Sequence, residues 1–221
     1  MFTLIAFRKA LEMPYRMVAP PRHRDRVRLF GNPFLESLTF VSAPAFIALW
    51  AAALPAIAMV GIKTAPTAWS ILMFTGGLVI WTLTEYLLHR FVFHFEARSG
   101  WLQNVIFIIH GNHHAVPNDP LRNLMPPIVS VPVCALVWAM CVWLAGPSGT
   151  WYLFGFVLGY VVYDLLHYAC HQWPMKGRIA QMLKVHHMRH HHLQVAGNFA
   201  ITGALWDRIF ATRITSLSKK N

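Results

Sequence analysis

Histidine is the residue type that most strongly indicates chemistry in this sequence. There are 13 histidines in 221 residues, and twelve of them fall in four short motifs. The motifs read EYLLHRFVFHFE, IIHGNHHAVPND, YDLLHYACHQ and VHHMRHHHLQ. Neutral imidazole is a common protein ligand for iron, zinc, copper and nickel. The motifs therefore predict a metal centre.

The spacing within the motifs predicts which histidines act together. Residues three and four apart share one face of an α-helix. Three sets have this spacing: His110 with His113 and His114, His167 with His171, and His187 with His190 and His191. His89 and His94 are five apart, about 140° around an ideal helix. For both to reach one metal, the helix must end, widen or bend near Phe91–Phe93.

Ten histidines exceed the needs of a single metal ion, which takes about four to six ligands. They suit a two-metal centre with roughly five nitrogens per metal. Soluble dimetal helical proteins use a Glu-x-x-His motif, which this sequence lacks. A histidine pair taken alone is also compatible with core packing, and the histidine-rich run taken alone with adventitious metal binding.

The composition predicts a membrane protein. Hydrophobic residues make up 56% of the chain and charged residues only 12%, about half the share of a soluble domain. The net charge of +11 then indicates cationic segments held against an anionic membrane face and not a nucleic-acid partner. The cysteines lie in apolar stretches without metal-type spacing, so we expect no disulfide: Cys134, Cys141 and Cys170.

Charge-free tracts predict the membrane spans, since one crossing takes about 20 apolar residues. The expected fold is an all-α integral membrane protein with four transmembrane helices in two hairpins and a cytoplasmic histidine-rich helical cap. The expected spans are about 40–62, 67–90, 125–144 and 151–168. Gly and Pro signals place the hairpin turns near residues 61–66 and 145–150. Residues 1–35 form an interfacial, basic segment and 36–221 form the membrane domain.

The distribution of Lys and Arg predicts the orientation. Seven precede the first span, three lie in residues 89–125 and eight follow the last span, whereas the hairpin turns hold only Lys63. The positive-inside rule therefore places both termini and the metal site in the cytoplasm. All four histidine motifs lie on or face that side, which favours one built centre over scattered histidines.

The residues resemble the membrane fatty acid hydroxylase and sterol desaturase superfamily. The similar stretches are LFGNPFLE, EYLLHRFVFH, HGNHHAVPNDPLRNLMPP, GYVVYDLLHYACH and HHMRHHH followed by GALWDRIFAT. Within the superfamily, the sequence segments between the histidines are most similar to those of fatty acid 2-hydroxylases. The resemblance covers most of the chain from about residue 29.

The resemblance implies a di-iron monooxygenase that hydroxylates the alpha carbon of the acyl chain of a lipid with O2. The implied metal ligands are His89, His94, His110, His113, His114, His167, His171, His187, His190 and His191. Zinc can replace the two iron ions in purified protein, since it binds more tightly than Fe(II). The sequence lacks the cytochrome b5 domain of many eukaryotic members. We therefore expect an external electron donor, such as a cytochrome b5-like protein or ferredoxin.

Residues near the motifs are candidates for supporting roles. Tyr163 and Asp164 are candidate catalytic residues: Tyr163 to hold the substrate head, and Asp164 to hydrogen-bond a ligand imidazole. Glu85 is expected to orient a histidine in the same way. Asn118 and Asp119 are expected to cap a turn. Trp206 and Phe210 are expected in a membrane-docking segment, and no role follows for His23, His186 or His192.

Two other functions are compatible with the histidine motifs. The first is oxidation of a sterol, carotenoid or ether lipid by a member of the same superfamily, which the sequence segments between the histidines disfavour. The second is metal or haem transport, for which sites near the bilayer midplane would be expected. A zinc protease is disfavoured because the sequence has no His-Glu-x-x-His motif.

Overall fold

The computed structural model describes residues 27–65, 68–193 and 195–215, and every regular element within them is helical. The segment predicted to be basic and interfacial is 1–35. Its residues 1–26, which include His23, lie outside the described residues. The α-helices are α1 Pro33–Ser37, α2 Ala43–Thr64, α3 Ser70–Leu87, α4 Gly100–Ile106, α5 Asn112–Ala115, α6 Pro127–Ala145, α7 Gly149–Gln172, α8 Arg178–His192 and α9 Leu205–Ile209.

Two π-helical segments interrupt the regular helices beside the histidines. Leu88–Phe93, here π1, continues α3, and Phe107–Gly111, here π2, continues α4 into α5. A π-turn adds one residue to a helical turn, so it changes which side chains share a face. A distortion was predicted between His89 and His94, as an end, a widening or a bend, and the structure shows a widening in π1. The widening at π2 was not predicted.

Three stretches of the described chain are long and apolar enough to cross a membrane: Ala43–Thr64, Ser70–Phe93 and Pro127–Gln172. The third has 46 residues and contains both α6 and α7, with the 3₁₀ turn Gly146–Ser148 between them. The observed helices begin and end within about five residues of the four predicted spans, leaving aside the π1 extension. Their outward faces carry large exposed apolar side chains such as Ile71, Leu136 and Trp143.

Helix α7 lies at the centre of the bundle and packs most closely on α3. At Gly155 of α7 a Cβ atom would collide with the Phe74 carbonyl oxygen, and at Gly77 of α3 with that of Tyr152. Small residues let membrane helices approach at backbone distance in this way. The close crossing fixes the end of α3, which leads into His89, against the end of α7, which carries His167.

An aromatic layer fills the space between α2, α3 and α7. The Tyr160 ring lies edge-on to Trp50 and Trp81, each at 5.4 Å between ring centroids, and to Phe46 at 6.2 Å. Val157 and Leu153 continue this buried core along α7. The three free cysteines lie in α6 and α7 and are buried or half-buried.

The C-terminal segment folds back onto α3. Trp206 of α9 donates an indole N–H to Thr82 Oγ1 at 3.0 Å, and the Phe210 ring stacks on Tyr86 at 5.1 Å. These contacts pack both side chains against α3, and the membrane-docking role expected for Trp206 and Phe210 stays a prediction. Leu205, Ile209 and Phe210 expose apolar surface at this turn.

The segment after α5 is tied to α1. Arg122 forms a buried ion pair with Glu36, whose other oxygen accepts N–H groups from Leu29 and Phe30. Asp119 Oδ1 accepts the N–H of Leu121, so the turn-capping role predicted for Asp119 is confirmed. These contacts hold the chain between Asn118 and Met125 over the end of α7.

Candidate metal centre

The ten predicted histidines come together as two sets of five. In each set, one ligand atom from every histidine lies within 4.8 Å of the others. Group A consists of His89, His94, His110, His114 and His190. Group B consists of His113, His167, His171, His187 and His191.

Group A is built at the two π-helical segments. His89 lies in π1 and His94 follows its last residue, so π1 brings residues five apart into one group. His110 lies in π2 and His114 in α5, while His190 comes from α8. His89 is fully buried.

Group B is built on regular α-helices. His167 and His171 lie one turn apart on α7, and His187 and His191 one turn apart on α8. His113 of α5 completes the group. The i, i+4 spacing needs no distortion to put both members of a pair on one face.

Two of the four sequence motifs divide between the groups. His113 and His114 are adjacent in the chain yet belong to different groups, and so do His190 and His191. The rings of His114 and His191 stack at 4.1 Å between centroids, which places the two groups side by side. The spacing predicted that each set of three acts together, and that expectation was wrong, because the division depends on how α5 and α8 face the other helices.

The Nε2 atoms of all ten histidines point inward. In group A, His89 and His110 are 3.2 Å apart, and His94 and His190 3.0 Å. In group B, His113 and His167 are 2.9 Å apart, and His171 and His187 2.8 Å. The remaining pairs are His110–His114, His114–His190 and His113–His191 at 3.0, 3.3 and 3.1 Å.

Backbone carbonyl groups fix the tautomer of three histidines. His89 Nδ1 lies 2.6 Å from Phe199 O, His190 Nδ1 2.8 Å from Gly197 O, and His167 Nδ1 2.9 Å from Asn123 O. A carbonyl oxygen only accepts, so each Nδ1 must carry the proton and donate it. The Nε2 atom of each ring then holds a lone pair that points into the group.

Burial keeps the histidines outside the spans neutral. Burial lowers the pKa of His94 and His190 to about 4 and that of His114 to about 2. The pKa values of His110, His113 and His187 lie well below the ordinary value for the same cause, with repulsion from neighbouring imidazoles added. Neutral imidazole is the form that binds metal.

The donor set fits a metal cation. Lone pairs that converge at about 3 Å repel one another unless a cation or a proton lies between them, and burial disfavours the proton. Five imidazole nitrogens suit iron, zinc or copper and do not suit calcium or magnesium, which prefer oxygen. Each group could therefore hold one such ion.

His186 and His192 lie outside both groups, as the sequence register predicted. His186 Nε2 lies 3.1 Å from Asp207 Oδ2, in the interior of the protein. His192 is exposed. Of the five histidines in VHHMRHHHLQ, three face the metal groups and His186 has a buried carboxylate partner.

The acidic residues predicted to orient histidines have other partners. Asp164 accepts the Met125 N–H at 2.8 Å and the Tyr160 hydroxyl at 3.2 Å, and not an imidazole. Glu85 Oε1 accepts the N–H groups of Ile201 and Thr202 and the Thr202 hydroxyl. The expectations that Asp164 and Glu85 hydrogen-bond a ligand imidazole were therefore wrong.

Tyr163 lies beside group B. Its ring is nearly parallel to that of His167, 6.3 Å away, and it meets Trp81 edge-on at 5.6 Å. Tyr163 is buried, and Asp164 next to it is buried as well. The structure thus brings Tyr163 to the edge of the histidine groups.

Sequence reasoning missed the segment between α8 and α9 and the residues that hold it. Residues 197–202, here the strap, are buried at Gly197–Ile201 and provide the carbonyl groups for His89 and His190. Asn198 adopts a positive φ of 55°, which asparagine tolerates, and its side chain bonds His186 O and the Ile214 N–H. Asp207 accepts two strap N–H groups, those of Phe199 and Ala200.

Comparison with known proteins decides the family. A model of the family described as fatty acid hydroxylase matches residues 74–212, which include all ten histidines of groups A and B. The chain belongs to the fatty acid hydroxylase family. The resemblance seen in the histidine motifs is thereby confirmed.

Relatives and a solved structure support this assignment. A dihydroceramide fatty acyl 2-hydroxylase of Arabidopsis thaliana is 34% identical over 202 residues, which cover 89% of this chain and 84% of the relative. The fatty acid 2-hydroxylase of Rattus norvegicus is 38% identical over 64% of this chain, corresponding to 39% of the rat protein. A structure of scs7p, in which only the hydroxylase domain is visible, has a TM-score of 0.77 and 32% identity, and the match covers 86% of this chain and 74% of that one.

Proposed function

We propose that this family member is a membrane-bound di-iron fatty acid 2-hydroxylase. It adds one oxygen atom from O2 to the alpha carbon of the acyl chain of a lipid. The second oxygen atom leaves as water, with two electrons from a separate donor, a cytochrome b5-like protein or a ferredoxin, and two protons. The observation that carries the proposal is the pair of five-histidine groups with inward Nε2 atoms. The names of the relatives support the position of hydroxylation.

The ten histidines hold the metals. Two iron ions bound in groups A and B would supply the redox chemistry with O2 that side chains lack. The histidines remain neutral through burial, and the carbonyl partners of His89, His167 and His190 keep those rings oriented. Zinc in the same groups would be redox-inert.

Tyr163 serves the substrate side of the site, and Asp164 supports the segment that orients a metal ligand. Tyr163 contacts the lipid head beside His167, where its ring already lies parallel to the imidazole. Asp164 holds Met125, two residues after the Asn123 carbonyl that orients His167. The acyl chain lies along the apolar interior of the bundle, with its carbonyl end towards the histidines.

The long apolar helices and the distribution of Lys and Arg support the proposed membrane arrangement. Helices α2, α3, α6 and α7 make four spans in two hairpins, and the domain extends over 36–221. Lys and Arg outside the hairpin turns place the termini and the histidine groups on the cytoplasmic side. This side is where a soluble electron donor and lipid headgroups both have access.

Lipid mass spectrometry of cells that express the chain with adequate iron tests the activity. Wild type should produce 2-hydroxy acyl chains. A His113→Ala, His187→Ala variant, which removes two members of group B, should produce none. His192→Ala is the matched control, since it removes an exposed histidine of the same run and should leave the product unchanged. Equal product from wild type and the double variant would contradict the proposal, and so would oxidation of a sterol in place of acyl chains.

A further inference from the structure

The strap contacts His89 of group A through one peptide group, that between Phe199 and Ala200. The Phe199 carbonyl accepts the Nδ1–H of His89 at 2.6 Å, and the N–H of the same peptide group, that of Ala200, donates to Asp207 Oδ2 at 2.9 Å. Hydrogen bonds on the two ends of one amide strengthen each other, because each polarises the group further. A carboxylate on the N–H end therefore makes the carbonyl a better acceptor for His89.

Asp207 is held rigidly for this task. It is fully buried, and besides Ala200 it accepts the Phe199 N–H, the Thr212 hydroxyl and the His186 Nε2–H. Burial alone raises the pKa of Asp207, but these hydrogen bonds outweigh it and hold the pKa below its ordinary value. A buried carboxylate needs several donors of this kind to remain charged.

The second strap contact of group A lacks a carboxylate. His190 Nδ1 donates to Gly197 O, and the N–H of that peptide group, from Asn198, donates to the neutral Thr212 carbonyl at 2.9 Å. His89 and His190 belong to the same group but differ in what lies beyond the peptide. Of these two peptide groups, only the one that contacts His89 donates its N–H to a charged group.

We propose that Asp207 is a positioning residue for group A, which acts through the Phe199–Ala200 peptide group to orient His89 and increase the electron density on its Nε2. His186 keeps the carboxylate in place and is itself no ligand. The inference rests on the proposed metal-binding function and goes beyond it, because it gives one group a support that the other does not have. A carboxylate behind a metal-bound histidine usually contacts the imidazole directly.

Metal affinity measured by chelator competition tests the inference without reference to turnover. The purified full chain is loaded with iron under anaerobic conditions, and release of each metal is followed with increasing chelator. Asp207→Asn keeps the shape and removes the charge. It should weaken one of the two metals by roughly 10–100-fold, the range typical of lost outer partners, and leave the other unchanged. In a His167→Ala, His171→Ala background, which removes group B binding, the remaining metal should be the weakened one.

Glu85→Gln is the matched control. Glu85 also holds the strap, but the peptide groups that it contacts carry the carbonyls of Ala200 and Ile201, and no described histidine donates to either. Glu85→Gln should leave both affinities at wild-type values even if it lowers the unfolding temperature. The inference is overturned if Asp207→Asn binds both metals normally, if both weaken together, or if Glu85→Gln has the same effect.

A second variant covers the case in which Asp207→Asn does not fold. Replacing Ala200 by lactic acid turns its N–H into an ester oxygen and cuts the connection while Asp207 stays intact. This variant should also weaken one metal only, and wild-type affinity for both metals would overturn the inference. A wild type that binds no metal at all would contradict the proposed function itself, so the two failures are distinguishable.

Discussion

Groups A and B offer a metal the same donors, five imidazole nitrogens each, but the chain builds them in different ways. Group B uses i, i+4 pairs on the regular α-helices α7 and α8. Group A uses a π-helical segment to join residues five apart and depends on the strap for two carbonyl partners. Regular helices α7 and α8 supply four of the five histidines of group B, whereas group A needs a local distortion and a distant segment.

The outward-facing nitrogens show the same contrast. In group A, the Nδ1 atoms of His89 and His190 both donate to strap carbonyls. In group B, His167 donates to Asn123, but the buried Nδ1 atoms of His113, His187 and His191 have no partner among the described protein groups. The orientation of group B therefore rests more on helix packing and that of group A more on hydrogen bonds.

The largest effect is expected from disturbing π1. Insertion of one alanine between Phe91 and Val92 places His89 and His94 six residues apart and rotates one by about 100° relative to the other. Group A should lose its metal, group B should keep one, and hydroxylation should fall by more than about 100-fold, beyond the range for supporting residues. Metal analysis and product assays measure this, with an insertion between Gly146 and Pro147 in the distant α6–α7 turn as the control. Two bound metals in the Phe91 variant would show that π1 is not needed.

A smaller effect, on both groups together, is expected at the crossing of α3 and α7. Gly155→Ala places a Cβ atom against the Phe74 carbonyl and pushes the two helices apart. The free energy of unfolding should fall by about 3 kcal/mol, the upper part of the range for overpacking, and both metals should weaken. Thermal unfolding in detergent checks this against Gly100→Ala, where nothing lies within 4 Å of the new atom. If only one group weakens, the crossing does not set their separation.

The smallest effects separate the two histidines that lie outside the groups. His186→Ala removes a donor from the buried Asp207 and should lower the free energy of unfolding by about 1–3 kcal/mol. His192→Ala should change it by less than about 0.5 kcal/mol, since this side chain is exposed. Equal unfolding temperatures for the two variants would contradict the role given to His186.

Local spacing predicted the features that depend on neighbours in the chain. The helices, the register of His187, His190 and His191, and the distortion near Phe91–Phe93 all follow from residues a few positions apart. The assignment of His113 and His114 to different groups does not follow from local spacing. It depends on the other histidines of each group, which come from helices far along the chain. The activity was predicted from the family resemblance of the segments around the histidines, and no periodicity in the sequence predicts it.

Contacts distant in sequence explain the expectations that were wrong. Glu85 was expected to orient a histidine, but it meets residues 201 and 202, which lie more than 100 positions away. Asp164 likewise contacts Met125 and not His167. Asp207 had no role from sequence, since its partners His186, Phe199 and Ala200 come together only when the strap folds over α3.

The metal content of paired variants tests most directly the central claim that the two groups are separate metal sites. His167→Ala, His171→Ala removes two members of group B, and His94→Ala, His171→Ala removes one from each group. After loading with excess iron and removal of the unbound metal, the wild type should retain two ions per chain and the first variant one. The second variant should retain two, more weakly bound, because each of its groups keeps four imidazoles. Equal metal content in the two variants would contradict the division of the ten histidines into groups A and B.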